Sequence, residues 1–191
     1  MSESEPQTGI KDAWYALWVS TGKEMETIQE LNRKGAACQW IYPVYVRKKK
    51  YLQAWHDEEK PMFPGYVFFT DMGLSTLQVT LANNYSNFAR ILSFEKKPVP
   101  LRPQEVEFIR QITVPRDNET DPHISVLKVE CSYGFMENDQ IFITQGPLRN
   151  HEALIKKIDR HKRLATVEIT MLGRPMTVDL SLEIVYKKLT H

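Results

Sequence analysis

The chain has 191 residues, with 25 Lys and Arg side chains against 24 Asp and Glu, so its formal net charge is +1. This balance excludes a wholly basic nucleic-acid coat protein and an acidic tail protein. A hydrophobic content of 42% is enough for one mid-sized domain or two small ones and excludes a disordered chain. Apolar runs such as residues 13–20 are too short to span a membrane, and we expect a protein without membrane contact. Cys38 and Cys131 stand far apart, which is typical of reduced thiols in a cytoplasmic protein.

The first 36 residues predict a polar tail, a strand and a helix. Residues 1–12 are polar, lack the apolar stretch of a secretory leader, and predict a flexible tail. Residues 14–20 are rich in aromatic and β-branched types, which indicates a buried strand. Thr21 and Glu24 have the spacing of a capping box and predict the start of a helix. The apolar face of this helix is formed by Met25, Ile28 and Leu31.

Further elements are predicted between residues 40 and 113. A strand over 40–46 contains Pro43, which argues against a central, fully paired position. Residues 51–59 predict an excursion or a hairpin, and residues 63–70 predict a strand entered through a Pro-Gly turn. The remaining predicted elements are a helix with Leu74, Leu77 and Leu81, a strand over 88–94, a turn over 95–100, and a helix opened by Pro103 with Val106, Ile109 and Ile112 on one face.

A composition break follows this region. Two prolines and several acidic or amide residues stand where core candidates are almost missing, which predicts an interdomain linker over 114–125. Short alternating strands beyond it predict a small β-barrel over 126–191. In the strand over 164–171, a period of two indicates one buried face, made of Ala165, Val167, Ile169 and Met171. Other barrel strands are predicted over 141–143, 153–158, 176–180 and 183–186.

The sequence offers no motif for catalysis. The five histidines lack the spacing of zinc ligands, and we interpret the acidic run over 56–59 as solvated rather than as a cation site. A phosphate-binding glycine loop and a nucleophile elbow are both missing from the sequence. We therefore expect no catalytic residues, no metal and no cofactor.

The aromatic turn over 62–66 leaves two interpretations open. Its aromatic side chains can belong to the core, as strand aromatics usually do, or can form an exposed apolar patch for a partner. The pattern alone favours the core.

Two groups of motifs, in this order and joined by a polar segment, resemble the NusG family of transcription elongation factors. The first group, similar to the amino-terminal domain of that family, is Trp14-Tyr15 on a first strand, the helix after it, and Phe63-Pro64-Gly65-Tyr66-Val67. The second group, which resembles a KOW barrel, is 139–143, Gly146-Pro147-Leu148, Gly173-Arg174-Pro175 and 177–180. The resemblance covers about residues 13–188. Within the family, the chain is most similar to the LoaP group of specialised antiterminators.

The resemblance implies an α+β fold of two domains. The NusG amino-terminal domain, an α/β sandwich of an antiparallel sheet and flanking helices, is expected over 13–113, and the KOW barrel over 126–191. The first domain is expected to bind the clamp helices of the largest subunit of RNA polymerase and to suppress pausing and termination, as a cytoplasmic monomer. The motif match assigns Tyr15, Phe63, Pro64, Gly65 and Tyr66 to the polymerase-binding face, with Trp14 in the core.

The KOW loop departs from the usual family pattern. Leu148 stands where the family usually has a phenylalanine, and Asn150 and Ala153 stand where glycines are common. This pattern argues mildly against a general housekeeping NusG factor. That factor and a ribosome-associated RNA-binding module built on the barrel remain as alternatives.

Two basic runs complete the sequence features. The first is 47–50, and in the second, over 146–163, six cations oppose two acids, which leaves +4. Such runs are either solvated turns or a surface that faces phosphates, and we predict contact with structured RNA. The candidate residues are Arg47, Lys48, Lys49, Lys50, Arg149, Lys156, Lys157, Arg160, Lys162 and Arg163.

Overall fold

The computed structural model describes residues 13–36, 38–84, 89–117 and 121–185. The predicted tail, Phe88 of the strand over 88–94, and Tyr186 of the last predicted strand lie outside these ranges. The elements are β1 (Trp14–Val19), α1 (Glu24–Arg33), β2 (Trp40–Tyr51), β3 (Ala54–Pro61), β4 (Tyr66–Thr70), α2 (Leu74–Asn84), β5 (Ala89–Ile91), β6 (Ser93–Phe94), β7 (Lys97–Pro98), α3 (Pro103–Ile112), β8 (Val114–Pro115), β9 (Ile124–Val129), β10 (Ser132–Glu137), β11 (Gln140–Gln145), β12 (Ile155–Asp159), β13 (Leu164–Met171) and β14 (Arg174–Ile184). Short 3₁₀ turns cover Asp71–Gly73 and Glu152–Leu154.

The first sheet has seven strands in the order β5-β1-β4-β2-β9-β8, and β3 pairs with β2 beyond the end of β4. All pairs are antiparallel except β2 with β9. One face packs on α1 and α2 and the other on α3, as expected from the predicted helix faces. On the α1 and α2 side the cluster contains Leu17, Val19, Ile28, Leu31, Val67, Phe69, Leu77 and Leu81. The opposite cluster contains Trp14, Ala16, Phe68, Val106, Ile109 and Ile112.

The segment predicted as a linker contributes strands to this sheet. Within the described part of 114–125, β8 pairs with β9, and the Arg116 amide donates to the Val126 carbonyl at 2.9 Å. β9 begins at Ile124 and pairs in parallel with β2, so the predicted boundary at 126 falls inside this strand. Ile124, Val126 and Val129 of β9 are buried in the core clusters on the two faces of the first sheet. Their apolar spacing was not recognised in the sequence, because it follows directly on polar, proline-containing residues.

Within the described residues, the strands β6 and β7 pair only with each other, and the last five strands form a sheet in the order β11-β10-β14-β13-β12, called the C-terminal sheet below. It curls as the predicted KOW barrel does, and together with the first sheet it confirms the α+β fold. The strand predicted over 164–171 is β13, and its predicted inward face is buried. The strands predicted over 176–180 and 183–186 are, in the described residues, one long strand, β14, which pairs with β13 from Arg174 to Ser181 and with β10 from Leu182 to Ile184.

One local prediction was wrong and a second was right in part. The helix α1 has Lys23 at its N-cap without a side-chain cap, so the predicted capping box does not form. The carboxylate of Glu24 instead accepts a hydrogen bond from the Gly65 amide at 2.8 Å. Pro43 lies in a central strand, but this position is not fully paired, since on one side the pairing of β2 passes from β4 at Ile41 to β3 at Val44 and leaves Pro43 between the two partners.

Candidate functional site

The turn that carries the Phe-Pro-Gly-Tyr motif is fastened to two elements. The Gly65 amide donates to the buried Glu24 side chain at the start of α1, and the Gly65 carbonyl accepts from the Val19 amide at 2.9 Å. Gly65 has a φ of 82°, and a Cβ atom there would lie 3.0 Å from the Thr21 hydroxyl. Glycine is therefore required by both the backbone conformation and the close approach.

Phe63 lies in the core and not on the surface. It is only 2% exposed, and its ring meets that of Phe68 edge to face, with centroids 5.3 Å apart. Trp14 is buried beside the same Phe68 ring, as expected for a core residue. At this turn only Pro64 and part of Tyr66 remain accessible, since Gly65 is also buried.

The two tyrosines assigned to one polymerase-binding face lie on opposite faces of the first sheet. Tyr15 stacks on Phe69 at 5.7 Å and packs against the cluster under α1 and α2. Tyr66 packs against the cluster shared with α3 and the C-terminal sheet. The structure therefore brings Pro64 and Tyr66 together and leaves Tyr15 apart from them.

The side of the sheet that carries Tyr66 meets the C-terminal sheet. The Tyr66 hydroxyl accepts a hydrogen bond from the Arg174 guanidinium at 2.7 Å. Nearby, the Glu105 carboxylate accepts from the Arg102 amide at 2.8 Å and from the Gly173 amide at 3.2 Å. A cleft of about 510 Å³ lies between the two sheets beside these groups. This contact could not be predicted from the sequence, because each residue has the local pattern of a turn or of a helix start.

The first basic run is matched by the acidic run on the neighbouring strand. The residues over 56–59 were interpreted as a solvated loop, but they lie in β3, opposite the cations of β2. Arg47 lies 2.7 Å from Glu58, and Lys48 lies 2.5 Å from Asp57. Hydrogen bonds from Lys60 and Arg47 lower the pKa of Glu58 to about 2, and the hydrogen bond to Asp57 raises the pKa of Lys48. Three of the four cations in this run are therefore in ion pairs, since Lys49 also lies 3.7 Å from Glu58.

The cations of the second basic run are exposed except for Arg163, which is half-buried and lies 3.3 Å from Glu183, and fewer of them are in close ion pairs. The Lys156 ammonium lies 3.3 Å from the Glu168 carboxylate, and the Lys162 ammonium lies farther from its partner, 3.8 Å from the Asp159 carboxylate. Among the described residues, no carboxylate is paired with Arg149, Lys157 or Arg160. The Asp159 carboxylate accepts from the Lys162 amide at 2.9 Å, which lowers the pKa of Asp159 and fixes the turn over 159–163, called the basic turn below.

The hairpin of β2 and β3 reaches the basic turn. The Arg163 guanidinium carbon lies 4.2 Å from the centre of the Trp55 ring, a cation–π contact. Sequence reasoning missed Trp55, although a lone tryptophan in a polar hairpin was a usable signal.

The KOW loop, which contains Gly146, Pro147 and Leu148, has its leucine buried in the core. Leu148 is fully buried, and its amide donates to the Ser132 hydroxyl at 3.0 Å. Gly146 has a φ of 96°, and a Cβ atom there would lie 2.6 Å from Ser132 Cα. The loop therefore packs its apolar residue against β10 and presents none of it to a partner.

The described residues support neither a metal site nor a membrane-spanning helix. No group of three or more His, Cys, Asp or Glu side chains in these ranges is placed to hold a metal ion. In the same ranges, no helix has both the length and the apolar character needed to cross a membrane. Burial raises the pKa of the Cys38 thiol to about 12, so it is not a reactive thiolate at neutral pH.

Comparison with known proteins identifies the family. The family model described as transcription termination factor nusG matches residues 12–110, just over half of the chain. The transcription termination/antitermination protein NusG of Campylobacter jejuni is 24% identical over 174 residues, covering 87% of this chain and 92% of that protein. The protein of the same name from Staphylococcus carnosus is 24% identical over 185 residues, covering 91% and 94%. Thermotoga maritima NusG, solved in a study of its domain interaction, is 18% identical with a TM-score of 0.44, covering 90% of this chain and 94% of that one. The chain belongs to the NusG family of transcription termination and antitermination factors.

Proposed function

We propose that this protein binds RNA polymerase through its first sheet and suppresses pausing and termination on particular operons, with direct contact to RNA. The observation that carries the proposal is the Phe-Pro-Gly-Tyr turn, which the family match includes and which hydrogen bonds to Glu24 and Val19 fix at the start of β4. A turn fixed in this way loses little conformational entropy on binding.

The polymerase contact is assigned to Pro64 and Tyr66. Pro64 is exposed and Tyr66 is half-buried, so both have surface available for an apolar partner such as the clamp helices. Phe63 is buried in the core beside this turn and acts as a positioning residue for Pro64 and Tyr66. Binding to the closed clamp favours the elongating state over paused states, which is a shift of populations without chemistry.

The burial of Leu148 favours a specialised factor over a housekeeping one. A housekeeping partner of the KOW loop would need an apolar side chain that is exposed in the free protein. Such a side chain becomes buried in the interface on binding and contributes most of the binding energy. Here the residue at the anchor position fills the core of the C-terminal sheet. The RNA contact is assigned to the exposed cations of the second basic run, where ion pairing is weakest.

A pull-down with purified RNA polymerase, without RNA, tests the docking surface. Tyr66→Ala is expected to weaken retention at least several-fold, since an aromatic anchor contributes ~2 kcal/mol or more. Tyr51→Ala is the matched control, because Tyr51 is 63% exposed at the far end of the hairpin. Equal retention of the Tyr66 variant and the control would contradict the assignment.

A terminator template separates the specialised from the general function. The protein is expected to increase run-through only when its own leader RNA precedes the terminator. Equal run-through on unrelated templates would instead indicate a general NusG factor, and co-purification with ribosomal subunits alone would indicate the ribosome-associated module.

A further inference from the structure

The tip of the β2–β3 hairpin presents apolar side chains to solvent. Leu52 and Gln53 both have positive φ, of 46° and 63°, and close a tight two-residue turn. Trp55, just after the turn, is 44% exposed and packs against neither of the two core clusters. Because the core does not require this tryptophan, its position needs another explanation.

The basic turn holds a guanidinium against the indole. Arg163 ends the turn with a φ of 55°, lies 4.2 Å from the Trp55 ring centre, and contacts Glu183 at 3.3 Å. The Asp159 hydrogen bond to the Lys162 amide fixes the start of the same turn. The two planar groups are therefore held in place from opposite sides, one by the first sheet and one by the C-terminal sheet.

Cations with little or no ion pairing lie on the same hairpin and the same basic turn as this contact. Lys50 is the cross-strand partner of Trp55 and therefore lies on the same face of the hairpin. Among the described residues, no carboxylate is paired with Lys50 or Arg160, and Lys162 is 72% exposed. By contrast, Arg47 and Lys48 on the same strand are neutralised by Glu58 and Asp57.

We propose that Trp55 and Arg163, together with Lys50, Arg160 and Lys162, form one composite site for an RNA that has an unpaired base beside a stem. This inference rests on the RNA contact of the proposed function and names its ligand class. The unpaired base stacks on the exposed part of the indole and guanidinium planes, and the cations contact the flanking phosphates. A fully paired helix hides the faces of its bases, so it can use only the cations.

The flat aromatic surface distinguishes RNA from an acidic protein segment. Carboxylates on a peptide satisfy the cations but gain nothing from an exposed indole, whereas every base has a face that stacks. The site also needs both sheets, because Trp55 and Arg163 come from different ones.

Two RNA probes and the full chain test the proposal. The first probe is a hairpin RNA with an unpaired loop, and the second is a blunt duplex with the same stem sequence. Trp55→Ala is expected to weaken binding of the hairpin about tenfold, equivalent to about 1.4 kcal/mol, and to change duplex binding little. Trp55→Phe keeps a stacking ring and is expected to retain most of the affinity.

Val79→Ala is the matched control, because Val79 is 62% exposed on α2, outside the hairpin, the basic turn and the cleft beside Tyr66. Unchanged retention on RNA polymerase shows that each variant is folded. The composite site would be overturned if Trp55→Ala left hairpin binding unchanged, or if it weakened binding of the hairpin and the duplex equally. In either case the RNA contact of the proposed function would still stand. Failure of the unaltered chain to bind either probe at low salt would overturn the RNA contact of the proposed function, and this inference with it.

Discussion

Neutralising the two basic runs should have different effects on the salt dependence of RNA binding. One double variant, Arg160→Ala with Lys162→Ala, removes cations of the basic turn. The other, Arg47→Ala with Lys48→Ala, removes the same number of charges from β2. The runs look alike in sequence, but the second pair already lies within 2.7 Å of carboxylates.

The expected magnitude follows from counting the phosphates that each run can neutralise. A cation that contacts a phosphate of single-stranded RNA contributes ~0.7 to the slope of log affinity against log salt concentration. Losing two such cations from the basic turn therefore flattens the slope by about 1.4. Arg47 and Lys48 can contact phosphates only after they leave Glu58 and Asp57. Their removal therefore changes the slope by less than the ~0.7 that one phosphate contact contributes. The affinity at fixed salt can still fall, because two carboxylates then lose their partners.

Gel-shift titrations of a structured leader RNA over a series of salt concentrations measure both slopes. The reasoning is refuted if the two double variants flatten the slope equally, or if removing the cations of the basic turn leaves it unchanged.

Three further predictions concern the scaffold and its charges. Glu24→Ala should lower the free energy of unfolding by about 1–3 kcal/mol, measured by urea denaturation, because the buried Gly65 amide loses its acceptor. Gly146→Ala should lower the melting temperature more than Gly22→Ala, since both glycines have positive φ but only Gly146 lacks space for a Cβ atom. The pKa of Glu58 is lowered from 4.5 to about 2, so its stabilising contribution is present above pH 4.5 and is lost as the pH falls towards 2. An NMR titration of that carboxyl with a midpoint near 4.5 would contradict this.

The parts of the fold that depend on local periodicity could be predicted from the sequence. The apolar faces of α1 and α3 and the alternation in β13 require only the spacing of side chains along one element, and the structure confirms them. The place of β9 in the first sheet could not be predicted, because it depends on an edge of β2 that is distant in sequence. For the same reason, the hydrogen bond that the Gly65 amide donates to Glu24 could not be predicted.

The candidate site was less predictable than the fold. The family motif indicated the Phe-Pro-Gly-Tyr turn, but it does not show which faces its side chains take, and Tyr15 and Tyr66 proved to lie on opposite sides of the sheet. Charge counting also included both basic runs in the RNA contact, because it does not show the strand register that pairs Arg47 with Glu58. Both failures concern contacts between distant segments.

The most direct test of the central function is single-round transcription by purified RNA polymerase across a pause site and a terminator that follow the protein's own leader RNA. The full chain is expected to shorten the pause and increase read-through, and Tyr66→Ala is expected to lose both effects while the control Val79→Ala, at a position 62% exposed on α2, retains them. Unchanged or longer pausing at protein concentrations that saturate the polymerase would contradict the account.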